Sequence, residues 1–352
     1  MPLSPGEPAP WFTAPSASSD EFTFNSVAGR YILLAFLPEA APARAEALQR
    51  VAEHRALFDD VRCSAFMVLH DSRAPDGARD VRGLRWFLDP DGAVARLYDA
   101  ILPDGSVRAN WILLDPALRV LAWTPIDQAK PIFDLIGRLP MPGDHAGAPL
   151  HAPVLIAPRV FDPDLCSRLI ALHQAKGGSF TGVMRDVGGR TVAVMDDDKR
   201  RRDVLVEDPG LREEIRHALT SRLFPQIRHG MQFTVTEIER YLIGCYAADD
   251  GGLFRAHRDN VTLQTANRKF ACSLNLNDDF EGGDLRFPEF GPATYRPPLG
   301  GAIVFSCTLL HEALPMRAGR RYAFLPFFYD EDGARTLEAY LESQRAAADP
   351  IG

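Results

Sequence analysis

His257-Arg258-Asp259 is the only HxD triplet in the sequence. Two imidazoles and one carboxylate bound to a single face of a first-row divalent metal leave the opposite face open for other reactants. In an extended strand residues i and i+2 point to the same side, so HxD supplies two such ligands from one segment. The triplet alone carries little information, because 9 His and 31 Asp among 352 residues yield about 0.8 by chance. A second histidine is expected from a distant strand on the other wall of a barrel. His311 meets that requirement, 52 residues beyond Asp259 and after the apolar run 301–308. Ten residues further on, Arg321 opens another apolar run, with Arg320 beside it as the solvent-facing alternative. A guanidinium inside a closed barrel would pair bidentately with a carboxylate enclosed there.

These residues need strands to carry them. Residues 161–177 begin with an Asp cap and a proline, space Leu165, Leu169 and Leu172 at helical intervals, and stop at two glycines. A second helix is expected over 209–223. Strand-like segments follow at 234–245, 269–276, 285–287, 302–307 and 321–329. Helices first and many strands afterwards imply a mainly β barrel or jelly roll buttressed by helices. Within 269–276, period-2 alternation sets Ala271, Ser273 and Asn275 on one face and Phe270, Cys272, Leu274 and Leu276 on the other, the pattern of a lined cavity backed by a core.

Residues 139–152 combine Pro, Gly and small residues without periodicity and read as a linker, dividing the chain into domains 1–138 and 153–352. In the first domain, apolar runs at 31–37, 61–69, 85–88, 110–114 and 120–124 are separated by helical patterns at 43–58, 93–98 and 128–139. Strands apolar throughout imply a sheet covered on both faces, hence an α/β sandwich.

Two families are resembled. Over roughly 155–330 the chain resembles the prolyl 4-hydroxylase branch of the Fe(II)/2-oxoglutarate oxygenases, whose fold is the double-stranded β-helix, or jelly roll. Four ordered stretches carry the likeness: Tyr246-Ala-Ala-Asp-Asp-Gly-Gly-Leu-Phe-Arg-Ala-His257-Arg-Asp259-Asn, Leu276-Asn-Asp-Asp-Phe-Glu-Gly-Gly283-Asp-Leu-Arg-Phe-Pro288, Pro298-Leu-Gly-Gly-Ala-Ile-Val-Phe305, and His311-Glu-Ala-Leu-Pro315-Met-Arg-Ala-Gly319-Arg-Arg321-Tyr. The resemblance implies His257, Asp259 and His311 as iron ligands, Arg321 as partner of the 2-oxoglutarate C5 carboxylate, and Tyr246 and Asn275 as further co-substrate contacts. Tyr246 stands 11 residues before His257, which requires a short loop insertion; Tyr241 is the alternative. It further implies Fe(II), 2-oxoglutarate and O2, with ascorbate as an accessory. The reaction implied is hydroxylation of a peptidyl or free amino acid, and retention of Asp259 favours hydroxylation over halogenation. An unrelated small molecule as substrate, and a degenerate non-catalytic interaction protein, are the competing readings.

Over roughly 5–138 the chain resembles the peroxiredoxin branch of the thioredoxin superfamily, through Gly6-Glu-Pro-Ala-Pro-Trp-Phe-Thr, Ala35-Phe-Leu-Pro38, Asp89-Pro-Asp-Gly-Ala-Val-Ala-Arg-Leu-Tyr98 and Trp111-Ile-Leu-Leu-Asp-Pro116. Ala45 occupies the place of that family's attacking cysteine. Cys63, the only thiol of the domain, lies in an apolar run where burial makes it inert. A thioredoxin-like scaffold for docking or oligomerisation is expected there.

Composition excludes other classes. A net charge of −8 argues against a broad nucleic-acid surface, and Lys199-Arg200-Arg201-Arg202, following Asp196-Asp197-Asp198, reads as a solvated polar loop. Five scattered cysteines without a CxxC pair signal neither a disulfide framework nor a zinc knuckle. No apolar run reaches membrane length and no secretory signal is present, so a cytoplasmic protein with no membrane partner is expected.

Overall fold

The computed structural model describes residues 3–75, 78–187 and 189–348. Its contacts cluster into two units, Met1–Ala152 with Pro288–Pro292, and Pro153–Phe287 with Ala293–Gly352. Among the described residues no helix is long and apolar enough to cross a membrane.

The first unit is built on one five-stranded sheet in the order Leu84–Leu88, Cys63–Leu69, Tyr31–Phe36, Asn110–Leu114, Val120–Pro125. The first three strands run parallel, and the last two are antiparallel to their neighbours. Helices Ala41–Glu53 and Ala129–Arg138 cover one face, with Val51, Ile132, Phe133 and Ile136 packed on Leu33, Ala65, Met67 and Trp111. An aromatic cluster of Phe12, Phe22, Phe24, Phe66, Phe87 and Tyr98 fills the other. Two covered faces explain why the central strands Tyr31–Phe36 and Cys63–Leu69 are buried at every position. Cys63 is fully buried, and burial pushes its thiol up to about 12. Ala45 sits exposed on the helix Ala41–Glu53.

The second unit holds two antiparallel sheets that face one another across a cavity, a jelly-roll-like sandwich. The larger sheet has nine strands. Its main path runs Glu237–Glu239, Phe327–Tyr329, Phe270–Asn275, Arg320–Phe324, Leu242–Ala247, Arg202–Leu205 and Ser179–Phe180, and Ala302–Ser306 and Leu155–Ala157 attach beside it. The smaller sheet has the order Lys199–Arg200, Leu253–His257, His311–Ala313, Leu285–Arg286, Thr294–Tyr295. Helices Pro163–Lys176 and Pro209–Ala218 buttress the larger sheet from outside. Leu165, Leu169, Ile215 and Leu219 meet Ile243, Cys272, Leu274 and Phe324 in one core. Asp162 caps the first of these helices, accepting from the Leu165 N–H at 2.9 Å, and Gly177 ends it in the left-handed conformation.

Four expectations are corrected. The helix expected to end at 223 continues through a π-turn at Leu219–Leu223 into Phe224–Met231, and that turn accommodates Pro225, which has no N–H to give the preceding turn. The single strand expected over 234–245 is two. Glu237–Glu239 pairs with Phe327–Tyr329, the backbone turns left-handed at Arg240 (φ 49°), and Leu242–Ala247 pairs with Arg320–Phe324. The strand expected over 321–329 breaks opposite, at Pro326, and the ladder between the two segments resumes with its register shifted by one residue. Finally, a hairpin of Val183–Val187 with Arg190–Val194 and a helix at Glu331–Ala348 add to the elements expected.

Candidate metal centre

His257 ends the strand Leu253–His257, and its Cα partner across the ladder is His311. The second histidine therefore stands on the adjacent strand of the same sheet, not on the opposite wall as expected. In an antiparallel pair, side chains directly opposite begin about 5 Å apart, which brings two ligands together without any long reach. A bulge between Phe254 and His257 changes the alternation of that strand, so the Phe254 ring stacks on His257 with centroids 3.5 Å apart. Asp259 follows the strand, its N–H donating to the Cys307 carbonyl at 3.0 Å and its carbonyl accepting from Arg268 at 3.2 Å.

The Nδ1–H of His257 donates to the Arg255 carbonyl at 2.7 Å and that of His311 to the Leu309 carbonyl at 3.0 Å. A carbonyl can only accept, so both rings are held with Nε2 unprotonated and turned to the cavity. His257 Nε2 lies 3.5 Å from Asp259 Oδ1 and His311 Nε2 lies 3.3 Å from Oδ2. The three ligand atoms all fall within 4.8 Å of one another. Ligands about 2.1 Å from a common ion and at right angles stand roughly 3 Å apart, so small shifts close this triad on a metal. Burial alone would raise the Asp259 pKa, but the two imidazoles and Arg268 outweigh it and hold the carboxyl well below its usual range. Burial, and His257 next, pull His311 down to about 4. The donor set thus presents two imidazole Nε2 atoms and one carboxylate to a common point.

The cavity above the triad is lined from both sheets, by Phe254, Leu285 and Ala313 on one side and by Tyr246, Ser273, Phe305, Arg321 and Phe327 on the other. Arg321 is 2% exposed. Its Nε donates to Asn275 Oδ1 at 3.0 Å, one terminal nitrogen to the Gly283 carbonyl at 2.9 Å and the other to Ser273 Oγ at 2.7 Å. No carboxylate pairs with it among the described residues, and burial lowers its pKa from the ordinary value. Gly283 permits the approach: it is left-handed (φ 67°), and a Cβ there would lie 2.5 Å from the Met316 sulfur. Arg320 points outward to Asp249 at 3.2 Å.

Tyr246 is the cross-strand partner of Arg321 and lines the cavity, its hydroxyl accepting from Arg201 at 3.3 Å. Between Tyr246 and the strand that carries His257 the chain makes the 3-10 turn Ala248–Asp250. Tyr241 packs instead against the helix-side core beneath Arg212. Asn275 is corrected: it is absent from the cavity lining. Its Oδ1 accepts from Arg321 and its Nδ2 donates to the Pro297 carbonyl at 2.8 Å, so both ends of the amide are occupied in positioning that guanidinium.

The basic run at 199–202 is also corrected, because Lys199 and Arg201 are buried at 7% and 5% exposure. Arg201 binds Asp203 through Nε at 2.5 Å and through a terminal nitrogen at 2.9 Å, and Lys199 reaches the same carboxylate at 3.1 Å. Lys199, Arg201 and Asp203 alternate at i, i+2 and i+4, a strand-face signal that charge counting obscures. Arg201 crosses Gly244, where a Cβ would come within 2.7 Å of its Cδ. Arg240 lines the cavity as well.

No family model matches the chain. Over 151 residues it is 30% identical to a PKHD-type hydroxylase of Pseudomonas fluorescens, a match covering 40% of this chain and 63% of that protein's length. A Pseudomonas putida relative of the same name is 28% identical over 204 residues, 55% of this chain and 82% of the relative. A solved Pseudomonas putida prolyl-4-hydroxylase is 19% identical with a TM-score of 0.39, over 51% of this chain and 92% of that one. Over about half of its length, the chain is similar to proteins that bear the name PKHD-type hydroxylase.

Proposed function

We propose that the chain is an Fe(II)- and 2-oxoglutarate-dependent hydroxylase of the prolyl 4-hydroxylase type, acting on a peptidyl or free amino acid. One observation supports this most: a single cavity holds a two-histidine, one-carboxylate donor set and a buried arginine without a carboxylate of its own. The donor set suits a non-haem Fe(II) that keeps positions free for other ligands. The bare guanidinium suits a dicarboxylic acid entering the same space.

Bound together, Fe(II), 2-oxoglutarate and O2 supply the oxidation, in which 2-oxoglutarate leaves as succinate and CO2 and a substrate C–H becomes C–OH. The residues of the chain bind, orient and exclude water. His257, Asp259 and His311 hold the metal, with both histidine tautomers set by backbone carbonyls. Arg321 takes the distal carboxylate of 2-oxoglutarate, kept in place by Ser273, Asn275 and Gly283, and Tyr246 lies beside it. Phe254, Leu285, Phe305 and Phe327 keep the cavity apolar where the reaction runs. Ascorbate serves as the reductant that maintains Fe(II).

The first unit we take as a thioredoxin-like domain of the peroxiredoxin type without a working thiol, serving docking or oligomerisation. The sheet order, Ala45 and the buried Cys63 support this reading. The test is anaerobic Fe(II) titration followed by measurement of succinate formed from 2-oxoglutarate, for the wild type and His257→Ala. Turnover that depends on iron and is lost in the variant is expected. Its absence in the wild type, even uncoupled and with candidate substrates supplied, removes the hydroxylase reading.

A further inference from the structure

The cavity carries more positive charge than a divalent metal and a dicarboxylate account for. Arg201, Arg240 and Arg321 line it. Lys199 stands on Asp203, and Arg268 stands on Glu239 at 2.5 Å. Among the described residues these five cations are opposed by Asp203, Glu239 and Asp259; Asp284, which also acts on Arg321, is paired with Arg296. A divalent metal and a 2-oxoglutarate dianion cancel each other, so the excess persists when both are bound. Buried charge without a counterion is costly, which makes an uncompensated cation in a cavity a mark of an anionic ligand.

The excess is concentrated at Arg240. Arg240 is half-buried: its Nε is enclosed without a hydrogen bond, no carboxylate pairs with it among the described residues, and its guanidinium lies over the Phe327 ring with Cζ 4.4 Å from the centroid. Arg268 lies 3.9 Å from the centroid of the same ring and adds like charge. The backbone at Arg240 is left-handed, a strained conformation for a non-glycine residue that persists where the surroundings enforce it. Like-charge crowding by Arg268 and Arg201 works against a guanidinium here, and nothing in the sheet pairing requires one.

Arg240 does not serve the same anion as Arg321. Arg321 is the ladder partner of Tyr246, whereas Arg240 lies six residues earlier, before the strand Leu242–Ala247, of which the stretch from Leu242 to Tyr246 by itself spans roughly 13 Å. Arg201 stands between them, with Cζ 5.7 Å from the Tyr246 ring and 5.9 Å from the Phe254 ring, and the Phe254 ring in turn stacks on His257. The cations form a row along the inner face of the larger sheet, one end beside Arg321 and the other free.

We infer that Arg240, with Arg201 beside it, is a second carboxylate subsite, and that the substrate is a small molecule with a free carboxylate, a free amino acid in preference to an internal residue of a peptide. An internal residue presents neutral amides to this end of the cavity and leaves its charge uncompensated. The inference rests on the hydroxylase reading, which assigns Arg321 to the co-substrate, and it narrows the substrate class of that same site.

The test uses the full chain loaded with Mn(II), so that no oxidation runs, and saturated with N-oxalylglycine, a 2-oxoglutarate analogue. L-Proline, L-leucine, L-glutamate and the α-carboxamide of each are titrated calorimetrically into the wild type, Arg240→Met and Arg240→Lys. At least one free acid should bind saturably, with its carboxamide at least tenfold weaker. Arg240→Met should weaken that acid at least 30-fold and Arg240→Lys by less, with N-oxalylglycine affinity within twofold of wild type in both. Equal binding of acids and carboxamides, acid binding indifferent to Arg240→Met, or no saturable acid binding at all would overturn the inference. If Arg240→Met fails to fold by near-UV circular dichroism, Arg240→Lys and the wild-type ratio of acid to carboxamide decide. Failure of N-oxalylglycine to bind the Mn(II)-loaded wild type removes the hydroxylase reading instead, and the acid titrations repeated without it still decide the subsite.

Discussion

Replacing Arg321 with methionine should separate co-substrate binding from metal binding, and the size of the effect follows from counting donors. A guanidinium has five N–H groups. Three are committed to Asn275 Oδ1, the Gly283 carbonyl and Ser273 Oγ, which leaves two for a ligand. Hydrogen bonds that involve a charged group contribute about 1.5–3 kcal/mol each, so two amount to about 3–6 kcal/mol. At about 1.4 kcal/mol per decade, the Kd for 2-oxoglutarate should rise roughly 10²- to 10⁴-fold. Arg321→Lys keeps the charge and loses the planar fork, and should fall between wild type and methionine. Arg320→Met, on the outer surface, should stay within about twofold. The assay is anaerobic titration of 2-oxoglutarate into the Fe(II)-loaded protein, followed by the charge-transfer absorption of the complex, with Fe(II) affinity measured separately. A 2-oxoglutarate Kd within threefold of wild type in Arg321→Met would refute the reasoning. A loss of Fe(II) affinity equal to the loss of 2-oxoglutarate affinity would do the same, since it would mean that the residue maintains the cavity and not the ligand.

Gly244→Ala puts a Cβ 2.7 Å from Arg201 Cδ and 2.8 Å from a Leu325 methyl, and overpacking of this kind should cost about 1–3 kcal/mol in urea unfolding; no change would mean that Arg201 moves aside freely. Cys63, pushed up to about 12 by burial, should resist iodoacetamide at pH 7 until the chain is unfolded, and peroxide consumption lost in Cys63→Ala would contradict the reading of the first unit. Lys199 is pulled down to about 8, by burial first and by Arg201 second, from an ordinary 10.5. Below about 8 both folded and unfolded chains hold that proton; between about 8 and 10.5 only the unfolded chain does, so this group's contribution to stability rises with pH across that window, by at most about 3 kcal/mol. The difference in unfolding free energy between wild type and Lys199→Met, followed from pH 7 to 10.5, reads it, and a flat difference would count against the burial of the ammonium.

Much of the chain was legible because its signals are local. Apolar runs in the first unit coincide with strands covered on both faces, and an Asp-Pro start with a Gly stop delimits the helix Pro163–Lys176. The two faces of 271–275 are fixed by strand alternation: Cys272 and Leu274 join the helix-side core, while Ser273 and Asn275 turn to Arg321. The HxD spacing and a histidine 52 residues later named three residues whose ligand atoms converge.

What the sequence could not determine depends on partners far away in the chain. Whether Lys199 and Arg201 meet water or the interior is decided by a strand ladder and by the missing side chain of Gly244, neither visible in a run of charges. Asn275 reads as a cavity residue by periodicity, yet the depth to which Arg321 is buried makes it a hydrogen-bond partner of that cation. The breaks at Arg240 and Pro326 lie opposite one another where the ladder between the two segments shifts its register by one residue, an event no single segment encodes. His311 likewise carries no mark of its partner: only the antiparallel register setting it opposite His257 turns two histidines distant in sequence into adjacent ligands. Sequence alone determined which chemical groups are present and which face of its own element each occupies, since both follow from side-chain type and backbone period. Tertiary structure alone decided which groups meet and which lose water, because pairing register and burial are properties of contacts between segments and of no segment by itself.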